Sequence, residues 1–125
     1  MERTVKTLLV DNQVLLRRSL VNILSRTASI KVLGEVSQGL KAISICRSVK
    51  PDVVLVDIEL LGPIDGIEMT RRIKSDPSLQ DIKVCILSEH KDETRILRAL
   101  RAGATGYIFK DHAPEDVISA IHSVY

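Results

Sequence analysis

The 125-residue sequence contains few aromatic residues: two tyrosines, one phenylalanine and no tryptophan. Its core must therefore be built from aliphatic side chains. The only two cysteines, Cys46 and Cys85, do not suggest a disulfide framework, and we expect both to be small buried residues, one in a helix and one in a strand. No apolar run approaches the ~18 residues that span a bilayer, and no signal-peptide pattern opens the chain. We therefore expect a cytoplasmic protein without a membrane partner.

The sequence also lacks a strong excess of charge. Its formal net charge of +2 is too small to indicate binding to nucleic acid or to an acidic membrane surface. Apolar residues make up 45% and charged residues 27%, which is typical of a globular protein. The length fits one domain with one substantial core.

Four short apolar runs each end in a residue that could belong to one shared site. These runs end at Asp11, Asp57, Ser88 and Lys110. Uninterrupted apolar runs are typical of parallel strands covered by helices on both faces. Because ligands bind at the carboxyl edge of such sheets, two carboxylates, a hydroxyl and an ammonium would meet there. This combination suits the chemistry of a phosphoryl group.

Strands and helices alternate five times along the sequence. We predict strands at about 5–10, 30–36, 53–57, 83–88 and 106–110, and helices at about 13–26, 39–50, 66–75, 92–103 and from Pro114 onward. Helical spacing places Leu40, Ile43, Cys46 and Val49 on one buried face, and Ile96, Leu97 and Leu100 on another. The predicted fold is α/β: a doubly wound, flavodoxin-like parallel sheet of order 2-1-3-4-5 with five helices.

Several motifs resemble those of one known family, the receiver domains of bacterial two-component response regulators. The matching stretches are LLVDNQ, VLVDIEL followed by IDG, ILSEH and GATGYIFKD, in that order over essentially the whole chain. The last stretch, with Lys110 followed by Asp111, resembles the NarL/FixJ (LuxR-type) class. Members of that class usually carry a C-terminal helix-turn-helix domain that binds DNA.

The resemblance implies a role for each residue of the predicted site. Asp57 would be the phosphoacceptor that takes a phosphoryl group from a histidine kinase. A Mg²⁺ cofactor would be held by Asp11, Asn12, Asp57 and the backbone carbonyl of Glu59. Ser88 and Lys110 would bind phosphoryl oxygens, and a movement of Ser88 would let Tyr107 turn inward and change the surface of the fourth helix and fifth strand. Such a domain is a signalling domain rather than an enzyme, and it is expected to form a homodimer on activation.

Three positions depart from the family pattern. Asn12 stands where a second acidic metal ligand is usual, and its amide keeps an oxygen but removes one negative charge. The loop from Ile58 to Gly66 is one residue longer than the common pattern, and we expect the loop to absorb the extra residue. Glu89 stands beside Ser88 where a small residue is usual, and its carboxylate could repel an incoming phosphoryl group.

Two functions from different classes are compatible with these residues. One is a phosphorylation switch, and the other is an atypical receiver that works as a phosphorylation-independent interaction or dimerisation module. A phosphatase of the haloacid dehalogenase type would need an aspartate where Glu59 stands. His90 is either a plain loop residue or one that controls access of water, and Arg95, Arg98 and Arg101 are either a solvated helix face or a partner surface. The last helix reaches Tyr125 without a capping glycine, so we expect residues 1–125 to be the receiver part of a longer regulator with a DNA-binding output domain.

Overall fold

A computed structural model describes residues 4–112 and 114–125. Its five strands form one parallel sheet of order β2-β1-β3-β4-β5. The predicted order is confirmed, and β2, whose apolar pattern is interrupted by charged residues, lies at an edge. The strands are β1 Val5–Val10, β2 Ile30–Val36, β3 Val53–Val56, β4 Lys83–Ser88 and β5 Gly106–Phe109.

Four α-helices connect the strands and a fifth follows β5, in close agreement with the predicted bounds. They are α1 Val14–Ser25, α2 Gly39–Val49, α3 Gly66–Ser75, α4 Glu93–Ala102 and α5 Glu115–Val124. Asp65 and Asp92 cap α3 and α4, because their carboxylates accept hydrogen bonds from the backbone N–H groups of Glu68 and Arg95. No helix among the described residues is long and apolar enough to cross a membrane.

The sheet separates two aliphatic layers of the core. One face packs against α2, α3 and α4, with Leu8, Val56 and Ile86 among its buried strand residues. The other face packs against α1 and α5, where Leu9 and Leu55 are buried. Cys46 in α2 and Cys85 in β4 are buried free thiols, as predicted, and burial raises the pKa of Cys46 to about 11 and that of Cys85 to about 12. Both thiols are therefore packing residues at neutral pH.

The prediction of the buried helix faces was wrong at four positions. Leu40 and Val49 in α2 and Leu97 and Leu100 in α4 are exposed. The inner faces use smaller residues instead: Gly39, Ala42 and Cys46 in α2, and Ala99 and Ala102 in α4. Small side chains let a helix approach its neighbours closely, so these faces pack inward although the leucines follow an equally regular spacing.

The end of β5 also differs from the prediction. The strand stops at Phe109, and Lys110 begins a short 3-10 helix, Lys110–His112. Pro114 lies just before α5 rather than in its first turn. The backbone therefore leaves β5 at Lys110, one of the predicted site residues.

The long loop between β3 and α3 contacts the segment that follows β2, and the expectation that it absorbs an extra residue stays a prediction. Leu61 forms an isolated parallel bridge with Gln38, and its N–H donates to the Ser37 carbonyl at 3.1 Å. Gly62 follows with φ +92°, a left-handed conformation that favours glycine. β3 and β4, which lie on either side of this loop and α3 in the sequence, pair in regular register.

Candidate functional site

Two aspartates lie side by side at the carboxyl edge of the sheet. Val10 pairs with Val56, so Asp11 and Asp57 are the next residues of neighbouring strands. The Asp57 N–H donates to the Val10 carbonyl, and the Asp11 N–H donates to the Val36 carbonyl, each at 2.9 Å. The side chains are nearly fully buried, with residue exposures of 3% for Asp11 and 5% for Asp57.

Lys110 follows the edge strand β5, and its side chain reaches both carboxylates. Its Nζ donates to Asp57 Oδ2 at 2.9 Å and lies 3.1 Å from Asp11 Oδ2. The lysine side chain is only 6% exposed. Three charged side chains that are distant in sequence are therefore buried in mutual contact, as the strand-end pattern predicts.

Burial and neighbouring charges shift the pKa values of Asp57 and Lys110. Burial raises the pKa of Asp57 above its ordinary value of 3.8, the hydrogen bond from Lys110 opposes the rise, and the charge of Asp11 adds to it. Burial alone would lower the pKa of Lys110, but the hydrogen bond and charge of Asp57 outweigh it, so the pKa is raised. Lys110 is therefore a permanent cation at neutral pH.

Gly66 allows the backbone of Asp57 to pack against the start of α3. A Cβ atom at position 66 would lie 2.1 Å from the Asp57 carbonyl oxygen. The Gly66 N–H donates to the Ile58 carbonyl at 2.8 Å, which fixes the chain after Asp57. The glycine of the IDG stretch is thus required by close backbone approach.

Ser88 and Tyr107 are connected through the backbone of His90. Ser88 is fully buried at the end of β4, and its Oγ accepts from the His90 N–H at 3.0 Å. The half-buried Tyr107 donates its hydroxyl to the His90 carbonyl at 2.7 Å. Both candidate switch residues therefore bind the backbone of the same residue, His90, in the β4–α4 loop.

Glu59 and His90 form a pair beside the aspartates. The Glu59 N–H donates to Asp57 Oδ1 at 3.2 Å, while the exposed Glu59 carboxylate contacts His90 Nε2. Arg95, Arg98 and Arg101 are exposed on α4, and Arg95 pairs with Asp92. The partner role considered for these arginines stays a prediction.

Sequence reasoning did not identify two residues that complete the site. The Gln13 amide accepts from Lys110 Nζ at 2.6 Å and donates to Glu89 Oε1 at 2.8 Å. Arg17 donates to the Asp11 carbonyl at 2.6 Å and pairs with Glu35. Gln13 lies just before α1 and Arg17 lies in its first turn, so neither position is a strand end and the strand-end pattern gave no signal for them.

The donor set beside Asp57 suits a divalent cation of the magnesium type. The described residues contain no group of three or more histidine, cysteine, aspartate or glutamate side chains arranged to hold a metal. However, Asp11 Oδ2 is buried, and although Lys110 Nζ lies 3.1 Å away as an ion pair, this oxygen accepts no hydrogen bond within the described part of the chain and keeps its lone pairs for a further cation or water. A buried carboxylate oxygen without a donor is costly unless a cation or water meets it. Two carboxylates plus carbonyl and water oxygens match what Mg²⁺ commonly takes.

A cavity of about 570 Å³ lies at the opposite edge of the sheet, lined by Pro51, Leu79 and Ile82 among others. It is far from the aspartates in the topology, because it adjoins the beginnings of β3 and β4 rather than their ends. We assign the chemistry to the carboxyl edge of the sheet, where the buried charged side chains meet, and not to this cavity.

Comparison with known proteins identifies the family. The model of the response regulator receiver domain matches residues 7–122. The chain belongs to this family. The response regulator UvrY of Escherichia coli (strain K12) is 41% identical over 121 residues, which cover 97% of this chain and 54% of UvrY. The response regulator VraR of Staphylococcus aureus is 36% identical over 118 residues, covering 94% and 55% of the two chains.

Solved structures place this receiver domain in the LuxR-type class. A two-component response regulator of the LuxR family from Aurantimonas has a TM-score of 0.88 at 30% identity, covering 97% of this chain and 84% of that one. The signal receiver domain of NarL from Mycobacterium tuberculosis has a TM-score of 0.90 at 28% identity, covering 97% and 95%. The receiver domain spans about half the length of the curated relatives it matches.

Proposed function

We propose that Asp57 accepts a phosphoryl group from the phosphohistidine of a histidine kinase. The observation that carries this proposal is the contact of buried Asp57 with the buried ammonium of Lys110. An oxygen of the Asp57 carboxylate attacks phosphorus, the P–N bond to histidine breaks, and an acyl phosphate forms while the imidazole leaves. The receiver domain is a signalling domain in this scheme and not a catalyst of a separate substrate.

Charge neutralisation and positioning are the main requirements of such a transfer. Lys110 provides a fixed positive charge at Asp57, and Ser88 would donate its hydroxyl to a phosphoryl oxygen, since its hydrogen bond with the His90 N–H uses a lone pair of Oγ and not the hydroxyl hydrogen. When bound, Mg²⁺ supplies further positive charge, and its proposed ligands are Asp11, Asp57, Asn12 and the backbone carbonyl of Glu59. Asn12 contributes an oxygen without a charge, so we expect weaker Mg²⁺ binding than with a second aspartate there.

We propose that the switch signal passes through His90 to the surface of α4 and β5. Movement of Ser88 toward the phosphoryl group would disturb the peptide that Tyr107 holds. Tyr107 would then turn inward and alter the surface that carries the exposed Leu97 and Leu100. Homodimerisation is the proposed output, and in a longer regulator it would control a DNA-binding domain and transcription. A cytoplasmic location fits the two free buried thiols.

Phosphorylation can be tested directly. The domain is incubated with Mg²⁺ and acetyl phosphate and analysed by intact mass, with beryllofluoride as a second reagent and size-exclusion chromatography as the readout of dimerisation. We expect one phosphoryl adduct on the wild type, none on Asp57→Asn, and an unchanged adduct on Asp81→Asn, an exposed carboxylate at the other edge of the sheet.

The second candidate function is a phosphorylation-independent interaction module. It is favoured by two observations. The exposed Glu89 carboxylate lies beside Ser88, and Lys110 already donates hydrogen bonds to Gln13 and Asp57. The same experiment separates the two functions. A wild-type domain that dimerises without any adduct, at every Mg²⁺ concentration, would support the interaction module and contradict the switch.

A further inference from the structure

The side chain of Gln13 is not used to cap α1 and can therefore contact residues of the site. Its backbone N–H donates to Asp11 Oδ1 at 2.7 Å, which ties it to the aspartate pair. It precedes α1 with extended backbone angles, but its side chain makes no helix-capping hydrogen bond. Glutamine is not among the favoured capping residues. The amide instead extends across the carboxyl edge of the sheet.

The two ends of the Gln13 amide bind groups of opposite charge. Oε1 accepts from Lys110 Nζ at 2.6 Å, and Nε2 donates to Glu89 Oε1 at 2.8 Å. An ammonium can only donate and a carboxylate can only accept, so the orientation of the amide is fixed by its partners. We call this arrangement the Lys110–Gln13–Glu89 bridge. It joins three loops that follow β1, β4 and β5.

The bridge occupies an N–H donor of Lys110 that a phosphoryl oxygen would also bind. An ammonium has three N–H donors. Lys110 donates hydrogen bonds to Asp57 Oδ2 and Gln13 Oε1, and it forms an ion pair with Asp11 Oδ2 at 3.1 Å. Two of these partners are carboxylates and the third is a neutral amide oxygen. A charged phosphoryl oxygen forms a stronger hydrogen bond with an ammonium than an amide oxygen does. The contact with Gln13 is therefore the one that an incoming phosphoryl group replaces at least cost.

The bridge also determines where the Glu89 carboxylate lies. Glu89 follows Ser88 directly, and its exposed side chain is bound to Gln13. Without that hydrogen bond the carboxylate is free to turn toward the phosphoryl position, where like charges repel.

We propose that Gln13 is a positioning residue that couples Lys110 to Glu89. In the unphosphorylated protein it holds the Glu89 carboxylate to one side of the site. When Lys110 binds a phosphoryl oxygen, Gln13 is released together with Glu89, and the β4–α4 loop gains freedom. This inference rests on the proposed function and adds to it a route from Lys110 to the β4–α4 loop that does not pass through Ser88.

A double-mutant cycle tests the coupling. The rate of phosphorylation by acetyl phosphate is measured for Gln13→Met, Glu89→Ala and the double variant. We expect Gln13→Met to slow phosphorylation about three- to ten-fold, the effect of one hydrogen bond, in the presence of Glu89 and to have no slowing effect in the Glu89→Ala background. Gln80→Met, an exposed glutamine near the other edge, is the matched control and should leave the rate unchanged.

A second measurement follows the amide itself. The side-chain NH₂ signals of Gln13, assigned by their loss in Gln13→Met, should shift when Mg²⁺ and beryllofluoride are added and when Glu89 is replaced by alanine. The shift on replacement of Glu89 checks the hydrogen bond itself, and the shift with Mg²⁺ and beryllofluoride shows whether Gln13 responds when the site is occupied.

The outcomes distinguish this inference from the function on which it rests. A phosphorylated wild type with additive effects in the cycle, or with unmoved Gln13 amide signals, would overturn the role of Gln13 and leave the proposed function intact. Failure of the wild type to form any adduct would overturn both.

Discussion

Asp57 combines burial with a nearby negative charge, and this makes its ionisation costly. Its side chain is nearly inaccessible, and Asp11 lies on the neighbouring strand with its own carboxylate. Lys110 offsets part of this cost by contacting both. Binding of a cation beside the two carboxylates would offset this remaining cost, because it reduces their mutual repulsion.

The stability effect of Asp57→Asn should depend on pH. The unfolded chain releases the Asp57 proton near the ordinary pKa of 3.8, whereas the folded protein retains it to higher pH. Because the folded state binds more protons in that window, the contribution of Asp57 to stability falls as pH rises through its raised pKa. We expect Asp57→Asn to become progressively more stable than the wild type from about pH 4 toward neutrality.

Urea unfolding of the two proteins at several pH values, with a chelator present, measures this difference. Taking the difference removes the opposite contribution of exposed carboxylates such as Asp92, whose pKa is lowered by its hydrogen bond with Arg95. A stability difference that stays constant over this pH range would contradict the expected protonation of Asp57.

Loss of the Lys110 ammonium should be far more damaging than loss of an exposed lysine. Lys110→Met leaves two buried carboxylates without their cation, and we expect a loss of about 3 kcal/mol in the free energy of unfolding. Lys91→Met is the matched control, since Lys91 and its partner Asp111 are 52% and 59% exposed. Its loss should stay below about 1 kcal/mol. Equal losses for the two variants in urea unfolding would refute the importance of burial at Lys110.

At the scale of secondary structure elements, the site depends on how α3 begins. Asp65 caps the helix, Gly66 allows contact with the Asp57 carbonyl, and Gly62 turns the preceding loop outward. The loop can therefore vary in length while the backbone after Asp57 stays fixed.

Two glycines provide a matched test of this packing. In Gly66→Ala the added methyl group would lie 2.1 Å from a backbone oxygen, so α3 must shift, and we expect a loss of about 3 kcal/mol in the free energy of unfolding. In Gly34→Ala the methyl group would meet Leu8 at 3.6 Å, an ordinary contact, and stability should change by less than about 1 kcal/mol. Thermal or urea unfolding compares the two. A Gly66→Ala variant as stable as Gly34→Ala would show that α3 moves freely relative to Asp57.

At the scale of the whole molecule, the parallel topology assembles the site from segments that are far apart in sequence. Asp11, Asp57 and Lys110 follow β1, β3 and β5, and the sheet order brings their ends to one edge. The site exists only in the folded chain. Any ligand that binds it therefore stabilises the fold.

Binding of Mg²⁺ and beryllofluoride should raise the thermal stability of the whole domain. At a free ligand concentration of about 100 times the dissociation constant, the expected gain is about 2.7 kcal/mol. Differential scanning calorimetry should show this gain in the wild type and little of it in Asp57→Asn. Asn12→Asp should reach the same gain at lower Mg²⁺ concentration, because a second carboxylate beside Asp11 adds charge to the site. An equal gain in Asp57→Asn would place the ligand elsewhere.

The sequence by itself determined the α/β fold, the strand order and the meeting of Asp11, Asp57 and Lys110. The physical reason is that buried parallel strands are continuous apolar runs, and the residue after each run must lie at the carboxyl edge. The motif resemblance gave the family, which the comparisons confirmed. These features depend on the chain order and on the period of burial, both of which can be read directly from a sequence.

Only the tertiary structure decided which helix faces are buried and how the polar side chains pair. Leu97 and Ala99 are two positions apart and so lie on nearly opposite sides of α4, and close packing put the side with Ala99 inward. Likewise the binding of Gln13 to Lys110 and Glu89 joins residues 97 and 76 positions apart. Such contacts depend on side-chain reach and on the relative position of three loops, which local sequence patterns do not encode.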